Sequence, residues 1–112
     1  MTPQLPDRLG VREDMEVAAT LERDAQLMLR VRDGDETSFA ILLERHRSPV
    51  VHFVYRMVGN QAVAEELAQE VFFRVYKSRE SYEPTAKFTT WLYRIASRLA
   101  LNAIRDGKKE RN

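Results

Sequence analysis

The chain of 112 residues contains no cysteine, only two histidines and one tryptophan, and four residues each of glycine and proline. Without cysteine it can form no disulfide, thiolate metal site or cysteine nucleophile. With so few histidines, we expect no bound transition metal and no cofactor. No apolar run approaches the ~20 residues of a membrane helix, and the N-terminus has no apolar signal core. We therefore expect a single small cytoplasmic domain that does not enter a membrane.

The net charge of +1 conceals an uneven distribution of charge along the chain. Residues 1–73 carry 8 Lys and Arg against 13 Asp and Glu, whereas residues 74–112 carry 10 against 4. A chain with this asymmetry is a candidate for binding an anionic polymer through its C-terminal part. The alternative, a basic tail that only keeps the domain in solution, fits the composition equally well.

Apolar residues recur at helical intervals along most of the chain, with no alternation of period two and no internal repeat. The pattern predicts an all-α fold, a compact bundle of four to five helices. The predicted helices are Leu21–Asp33, Glu36–Val58, Gln61–Ser78 and Ala86–Asp106. Residues 1–20 are predicted to form a flexible arm, residues 21–106 the domain, and residues 107–112 the start of a linker.

Residues with known preferences for helix ends support these boundaries. Gly34 suits the end of the first helix, and Asp35 and Asn60 are good N-caps for the second and third. Thr85 is the expected cap of the fourth helix. Pro49 lacks a backbone donor and lies inside the second helix, so we expect a kink or break in the turn before it.

The third helix has one apolar and one polar face when its residues are placed at about 100° intervals. The predicted core face contains Val63, Ala64, Leu67, Val71 and Val75. The opposite face contains Glu66, Gln69, Glu70, Phe73 and Lys77. Phe73 either anchors a protein interface or tucks against a neighbouring loop or helix. Glu66 and Glu70 are surface carboxylates or partners of arginines on another protein, since no histidine, metal ligand or pocket glycine supports a catalytic pair.

The fourth helix combines an apolar face with a row of cations. Its predicted core face contains Phe88, Trp91, Leu92, Ile95 and Leu99. The cationic stripe contains Lys87, Arg94, Arg98 and Arg105, at helical spacings. Like charges on one stripe repel one another, and phosphate would relieve that repulsion. The stripe is therefore either a nucleic-acid surface or a solvated basic face.

Aromatic and hydroxyl side chains lie close to this stripe in sequence. Trp91 and Tyr93 belong to the helix, and the preceding loop supplies Arg79, Ser81 and Tyr82. Aromatic rings beside cations are typical of single-strand binding, where bases stack on rings and phosphates meet cations. Such a loop could also hold one base that has left the stack. For Trp91 a place in the core is the competing interpretation.

Four local motifs resemble region 2 of the sigma-70 family and, within it, the extracytoplasmic-function (ECF) group. They are DAQL at residues 24–27, Gly34-Asp35 followed by Phe39, AEELAQEVF at residues 64–72 and FTTWLYRIA at residues 88–96. Their order and intervals also agree with the family, and the resemblance extends from about Asp24 to Arg105, roughly three quarters of the chain. The resemblance implies a bacterial transcription initiation module that acts through binding energy and catalyses no bond chemistry.

The resemblance also implies partners and contact residues. The acidic helix would dock on the paired clamp helices of the β′ subunit of core RNA polymerase, through Glu66, Gln69, Glu70, Phe73, Arg74 and Tyr76. The next loop and the fourth helix would bind the single-stranded non-template strand of the promoter −10 element and capture a flipped base. The implied DNA-binding residues are Arg79, Ser81, Tyr82, Lys87, Thr90, Trp91, Arg94, Arg98, Asn102 and Arg105. An anti-sigma factor is a further expected class of partner.

The chain departs from the family pattern in two ways. Many members have Asn at the position of Arg98, and an arginine there adds a phosphate contact but cannot make the same amide pairings. The chain also stops where the linker to a second helical domain, region 4, would start. We therefore expect either an isolated domain or a truncated piece of a longer protein. Either should bind core polymerase without directing transcription alone. The competing hypothesis is a sigma-like protein-interaction adaptor that does not read DNA, for which the basic stripe would be dispensable.

Overall fold

Four α-helices make up most of the chain in the computed structural model, which describes residues 8–85 and 87–107. They are α1 (Arg8–Arg32), α2 (Glu36–Val58), α3 (Gln61–Lys77) and α4 (Phe88–Arg105), with a short 3-10 turn at Arg79–Ser81. The described residues contain no strand, and the all-α prediction is confirmed. Helices α2 and α4 each pack against all three of the other helices, and the most extensive contact is between α2 and α3.

The junction between α1 and α2 follows from two adjacent residues. Gly34 has a φ of 98°, a left-handed conformation that glycine adopts without strain. The amide of Gly34 donates to the carbonyl of Val31 at 2.8 Å, and that of Asp35 to the carbonyl of Arg30 at 2.9 Å. This pair of bonds ends α1 as a Schellman motif. Asp35 then begins α2, since its carboxylate accepts a bond from the amide of Thr37 at 3.1 Å. Both predicted caps are confirmed.

Helix α1 begins at Arg8, so the predicted start at Leu21 is wrong. The missed signal is helix propensity. Residues 12–23 contain no glycine or proline and consist mainly of good helix formers, although they show no continuous apolar face. Residues 12–19 are all exposed, which shows that this half of α1 extends beyond the core. The assignment of residues 1–20 to a flexible arm stays a prediction, and residues 1–7 lie outside the described part of the chain.

Helix α2 is continuous through Pro49. The predicted break is therefore wrong, and a kink in the turn before Pro49 stays a prediction. The proline ring is exposed, while His46 before it and Val50 after it are buried. Packing of α2 against the other three helices offsets the backbone hydrogen bond that a proline removes. Gly59, with a φ of 74°, ends the helix as expected.

Of the two remaining predicted N-caps, that of α3 is confirmed and that of α4 is wrong. Asn60 caps α3, since its side-chain oxygen accepts a bond from the amide of Val63 at 3.0 Å. Helix α4 starts at Phe88 behind Lys87, which makes no side-chain capping bond. The predicted Thr85 cap is therefore wrong, because this residue lies in an exposed turn before the helix.

The core is built from apolar residues of all four helices. The predicted core face of α3 is confirmed for Ala64, Leu67, Val71 and Val75, while Val63 is only half-buried. On α4 the predicted core face is confirmed for Phe88 and Leu92, but the rest of the buried face differs from the prediction. The fully buried residues there are Phe88, Leu92, Ala96, Ala100 and Ala103. Trp91, Ile95 and Leu99 are half-buried at its edge. Alanines allow close approach of helices, so the small residues occupy the contact line and the larger ones flank it.

Candidate protein and nucleic-acid interfaces

The acidic face of α3 points away from the core. Glu66, Gln69 and Glu70 are all exposed, and the Phe73 residue is 62% exposed. The alternative in which Phe73 tucks against a neighbouring element is therefore wrong. Lys77 Nζ lies 5.4 Å from the centroid of the Phe73 ring, a distance at which a cation is attracted to an aromatic face. An exposed aromatic ring surrounded by charged residues is the usual chemistry of an interface anchor.

An apolar groove between α2 and α3 lies beside Phe73. It has a volume of about 460 Å³ and is lined by Phe39, Leu43, Arg47, Ala68, Gln69, Phe72, Phe73 and Tyr76. We call it the α2–α3 groove. The residues from α2 were not predicted here, because a helical wheel treats one helix at a time and cannot show which residues of a second helix lie alongside.

Tyr76 contributes to this groove but is itself half-buried. Its ring meets the edge of Phe39 at 5.2 Å between centroids. The guanidinium of Arg79 lies 4.3 Å from the same ring and donates a hydrogen bond from Nη1 to the Tyr76 carbonyl at 3.0 Å. Arg79 is thus committed to contacts within the protein, which leaves it less available to DNA than the sequence suggested.

A second groove lies between the C-terminal part of α3 and helix α4. It has a volume of about 240 Å³ and is lined by Arg74, Ser78, Ser81, Trp91, Arg94, Ile95, Arg98, Leu99 and Asn102. We call it the α3–α4 groove. Half of the predicted DNA-binding residues meet here, namely Ser81, Trp91, Arg94, Arg98 and Asn102.

The charge of the α3–α4 groove is entirely positive. Arg74, Arg94 and Arg98 are exposed arginines, and no lining residue is acidic. Arg74 had been assigned to the polymerase-binding set, yet the structure places it with the DNA-binding candidates. The helical wheel could have indicated this, because Arg74 lies about 100° from Phe73. Three guanidinium groups around one concave surface make an electrostatic site for an anion.

Three other predicted DNA-binding residues lie outside this groove. Lys87, Thr90 and Arg105 are exposed on α4 or at its start but do not line the concave surface. The Nε atom of Arg105 lies 3.5 Å from a carboxylate oxygen of Asp106. The predicted stripe is therefore solvent-exposed along its length, and its middle part borders the groove.

Tyr82 is fully buried, which corrects its prediction as a surface contact to DNA. Its ring centroid lies 5.4 Å from that of Trp91 and 6.3 Å from that of Phe88. Burial, and secondly the nearby Asp24 carboxylate, raise the pKa of the Tyr82 phenol above its ordinary value. The sequence showed only that this residue lies in a loop, whereas its burial depends on α1 and α4.

Trp91 lies at the border between the core and the α3–α4 groove, so its place in the core is confirmed in part and its role in DNA binding stays a prediction. It packs against the buried Tyr82 and Phe88, and it also lines the α3–α4 groove. Because it is half-buried, one part of the indole is held by the core and another part is open to a ligand. This arrangement suits a stacking platform, which requires a fixed aromatic face.

The described residues offer neither a metal site nor a membrane span. No three residues among His, Asp and Glu come together there in a way that could hold a metal ion. None of the four helices is long and apolar enough to span a bilayer.

Comparison with known proteins identifies what the chain resembles. Residues 42–110 match the model of the sigma-70 region 2 family. The ECF RNA polymerase sigma factor SigW of Bacillus subtilis is 40% identical over 81 residues, covering 72% of this chain and 43% of that protein. The RNA polymerase sigma factor CarQ of Myxococcus xanthus is 45% identical over 78 residues, covering 70% and 45%. The chain thus spans somewhat less than half the length of these relatives.

A solved structure has the same fold. It is the NMR structure of an engineered region 2 of sigmaE in complex with GTAAAA, with a TM-score of 0.70 and 32% sequence identity. The match covers 80% of this chain and 93% of the other chain.

Proposed function

The chain belongs to the sigma-70 region 2 family, and from this premise we propose that it is a transcription initiation module of the ECF group. In this proposal it binds core RNA polymerase through α3 and captures bases of the non-template −10 strand beside α4. Binding energy offsets the cost of separating the DNA strands, and no bond is made or broken. A domain that works on bacterial polymerase acts in the cytoplasm.

The α3–α4 groove is the observation that supports the DNA-binding part of this proposal. Arginine recognises phosphate oxygens through a planar set of donors, and Arg74, Arg94 and Arg98 surround the groove. Trp91 supplies an aromatic face for a base, and Ser81 and Asn102 supply hydrogen-bonding groups for base edges. Cations, an aromatic ring and neutral polar groups on one concave surface are what a single strand requires. The related sigmaE region 2 was solved with the oligonucleotide GTAAAA, which supports this assignment.

Arg98 has a specific consequence in this proposal. Its guanidinium borders the groove where many family members have an amide, so it neutralises phosphate in place of pairing with a base. Asn102 lies one turn later on α4 and lines the same groove. We assign the amide contact with a base edge to Asn102, because amides offer both a donor and an acceptor.

The polymerase-binding half uses the exposed face of α3. Glu66 and Glu70 would meet cationic residues of the β′ clamp helices, and Phe73 would enter an apolar site between them. The α2–α3 groove extends this surface with apolar area. The two grooves lie on different sides of α3, so DNA and polymerase can be bound at the same time. The same α3 face would serve an anti-sigma factor, which would then compete with polymerase.

Binding of single-stranded DNA tests the first half. We expect a labelled oligonucleotide containing GTAAAA to bind with an affinity that falls steeply with salt. Replacing Arg94 and Arg98 with Ala should weaken binding and reduce the slope of log K against log[salt] by about 1.4, or 0.7 per phosphate contact. Fluorescence anisotropy at several salt concentrations measures both quantities.

The matched control for this experiment replaces two exposed arginines of α1, Arg12 and Arg23, with Ala. It removes the same net charge through residues that do not line the groove. If both double variants lose the same affinity and slope, the effect is one of overall charge and the groove assignment is wrong. An oligonucleotide that fails to bind the wild-type domain would favour the adaptor hypothesis, in which only the α3 face is used.

Binding of a β′ clamp-helix fragment tests the second half. The charge reversal Glu70→Lys should abolish binding, because it places a cation against the arginines that the carboxylate would meet. Glu22→Lys is the control, since Glu22 is also exposed but lies on α1. If the folded wild-type domain does not bind the fragment, the docking assignment fails.

A further inference from the structure

Helix α1 contacts the loop that leads into α4, although about 50 residues separate them in sequence. The side chain of Arg32, in the last turn of α1, donates a hydrogen bond from Nη1 to the main-chain carbonyl of Tyr82 at 3.3 Å. Helix α1 also packs against the 3-10 turn that precedes Tyr82. The Arg32 side chain therefore links the end of α1 to the backbone of the loop before α4.

Helix α1 is itself anchored by a buried carboxylate. Asp24 is 1% exposed and forms an ion pair with Arg45 of α2. Its other oxygen lies 2.9 Å from Nε2 of His46. A buried carboxylate is costly unless it is paired, so these contacts favour one placement of α1 on α2. The His46 ring in turn lies 5.4 Å from that of Phe88, at the start of α4. Arg32 thus extends from a support that is fixed to both α2 and α4.

The loop held by Arg32 forms one wall of the α3–α4 groove. Ser81 lines that groove and immediately precedes Tyr82. The Tyr82 ring packs beneath Trp91, which lines the same groove from α4. A shift of the Tyr82 backbone would therefore move a hydroxyl and the indole together, while the acidic face of α3 would keep its place.

We propose that Arg32 is a positioning residue for DNA binding. It fixes the backbone position of Tyr82 in the loop before α4, and through Tyr82 it fixes the orientation of the Trp91 ring. The proposal rests on the assignment of the α3–α4 groove to DNA. Arg32 touches no base or phosphate in this scheme, and its effect passes through the Tyr82 carbonyl. Helix α1, which lies entirely outside the matched family region at residues 42–110, thereby becomes part of the DNA-binding apparatus.

The test compares Arg32→Met, which keeps an apolar stem but removes the donor, with Arg23→Met. Both changes remove one positive charge from an exposed arginine of α1. We expect Arg32→Met to bind the GTAAAA oligonucleotide about tenfold more weakly than Arg23→Met, the order of one charge-assisted hydrogen bond. Affinity for the β′ fragment should be the same in both variants. Arg32→Lys, which retains a donor and the charge, should recover part of the lost DNA affinity.

Trp91 supplies an independent measurement, because it is the only tryptophan of the chain. Its emission in the absence of DNA should shift to longer wavelength in Arg32→Met and stay unchanged in Arg23→Met. Equal DNA affinities and equal emission spectra in the two variants would overturn the positioning role. If the wild-type domain binds no oligonucleotide, the proposed function fails, and the emission spectra still decide whether Arg32 positions Trp91.

Discussion

The substitution Phe73→Ala tests whether the exposed ring on α3 is an interface anchor. A fully covered aromatic side chain buries about 150–250 Å². The 62% of the Phe73 residue that is exposed therefore offers roughly 120 Å² to a partner. At about 25 cal/mol per Å², covering this area is worth about 3 kcal/mol. Ordering of flexible groups at the interface offsets part of that gain. We expect a loss of about 2 kcal/mol, or roughly 30-fold in Kd.

The cost of this substitution to the fold should be small. Phe73 does not belong to the buried core. Its ring makes a cation–π contact with the Lys77 ammonium, and such contacts contribute about 0.5–1 kcal/mol at exposed sites. Isothermal titration calorimetry with the β′ clamp-helix fragment measures the change in affinity, and urea denaturation confirms that the domain remains folded.

Tyr55→Ala is the matched control for Phe73→Ala. Tyr55 is also an exposed aromatic, at 42%, but it lies on α2 outside both grooves. Its removal should leave the affinity for the fragment unchanged. A Phe73→Ala domain that is folded and binds within about threefold of wild type, less than 1 kcal/mol, would refute the anchor assignment. Equal losses in the two variants would also refute it, because they would show a nonspecific apolar effect.

Two further predictions concern stability. Asn60→Ala should lower the free energy of unfolding by about 1 kcal/mol, since the hydrogen bond that caps α3 is lost. Asn60→Asp keeps a side-chain acceptor and should retain most of the stability. Equal unfolding free energies of the two variants in urea titrations would contradict the capping role. Tyr82 has a raised pKa, so its neutral form is favoured in the folded state and its contribution to stability is complete below the unfolded pKa of about 10. That contribution is lost as the pH rises from there through the folded pKa. Tyr82→Phe should therefore show a shallower fall in unfolding free energy above pH 10, and an identical fall in denaturant titrations would count against burial of the phenol.

Local signals in the sequence predicted much of the fold. The start of α2 at Glu36 and of α3 at Gln61 follow from caps that Asp35 and Asn60 form with amides only two or three residues away. The polar face of α3 was also predicted, because three of its residues differ sharply in polarity from the residues buried behind them. The start of α1 was missed, since residues 12–19 form a helix without an apolar face, and periodicity alone does not detect such a segment.

Parts of the candidate site depended on contacts between distant residues. The sequence indicated that Arg94, Arg98 and Trp91 share a helix, but it could not show that Arg74 of α3 faces them across a groove. The core face of α4 was predicted only in part for the same reason, since it also depends on contacts with other helices. The prediction chose the largest apolar residues of α4 as its core face. Ala96 and Ala100 are buried because the neighbouring helices approach closely there, which a helical wheel of one helix cannot show.

The sequence by itself determined the helical class, most helix ends, the acidic and basic faces and the resemblance to sigma-70 region 2, because these depend on residue types and short spacings. Only the tertiary structure decided that Tyr82 is buried, that Arg79 stacks on Tyr76 and that Arg32 of α1 holds the loop before α4. Each of these depends on which elements lie side by side, and packing of the whole core selects that arrangement. The acidic face of α3 therefore follows from the sequence, whereas the α3–α4 groove, which brings Arg74 to the arginines of α4, follows from the fold.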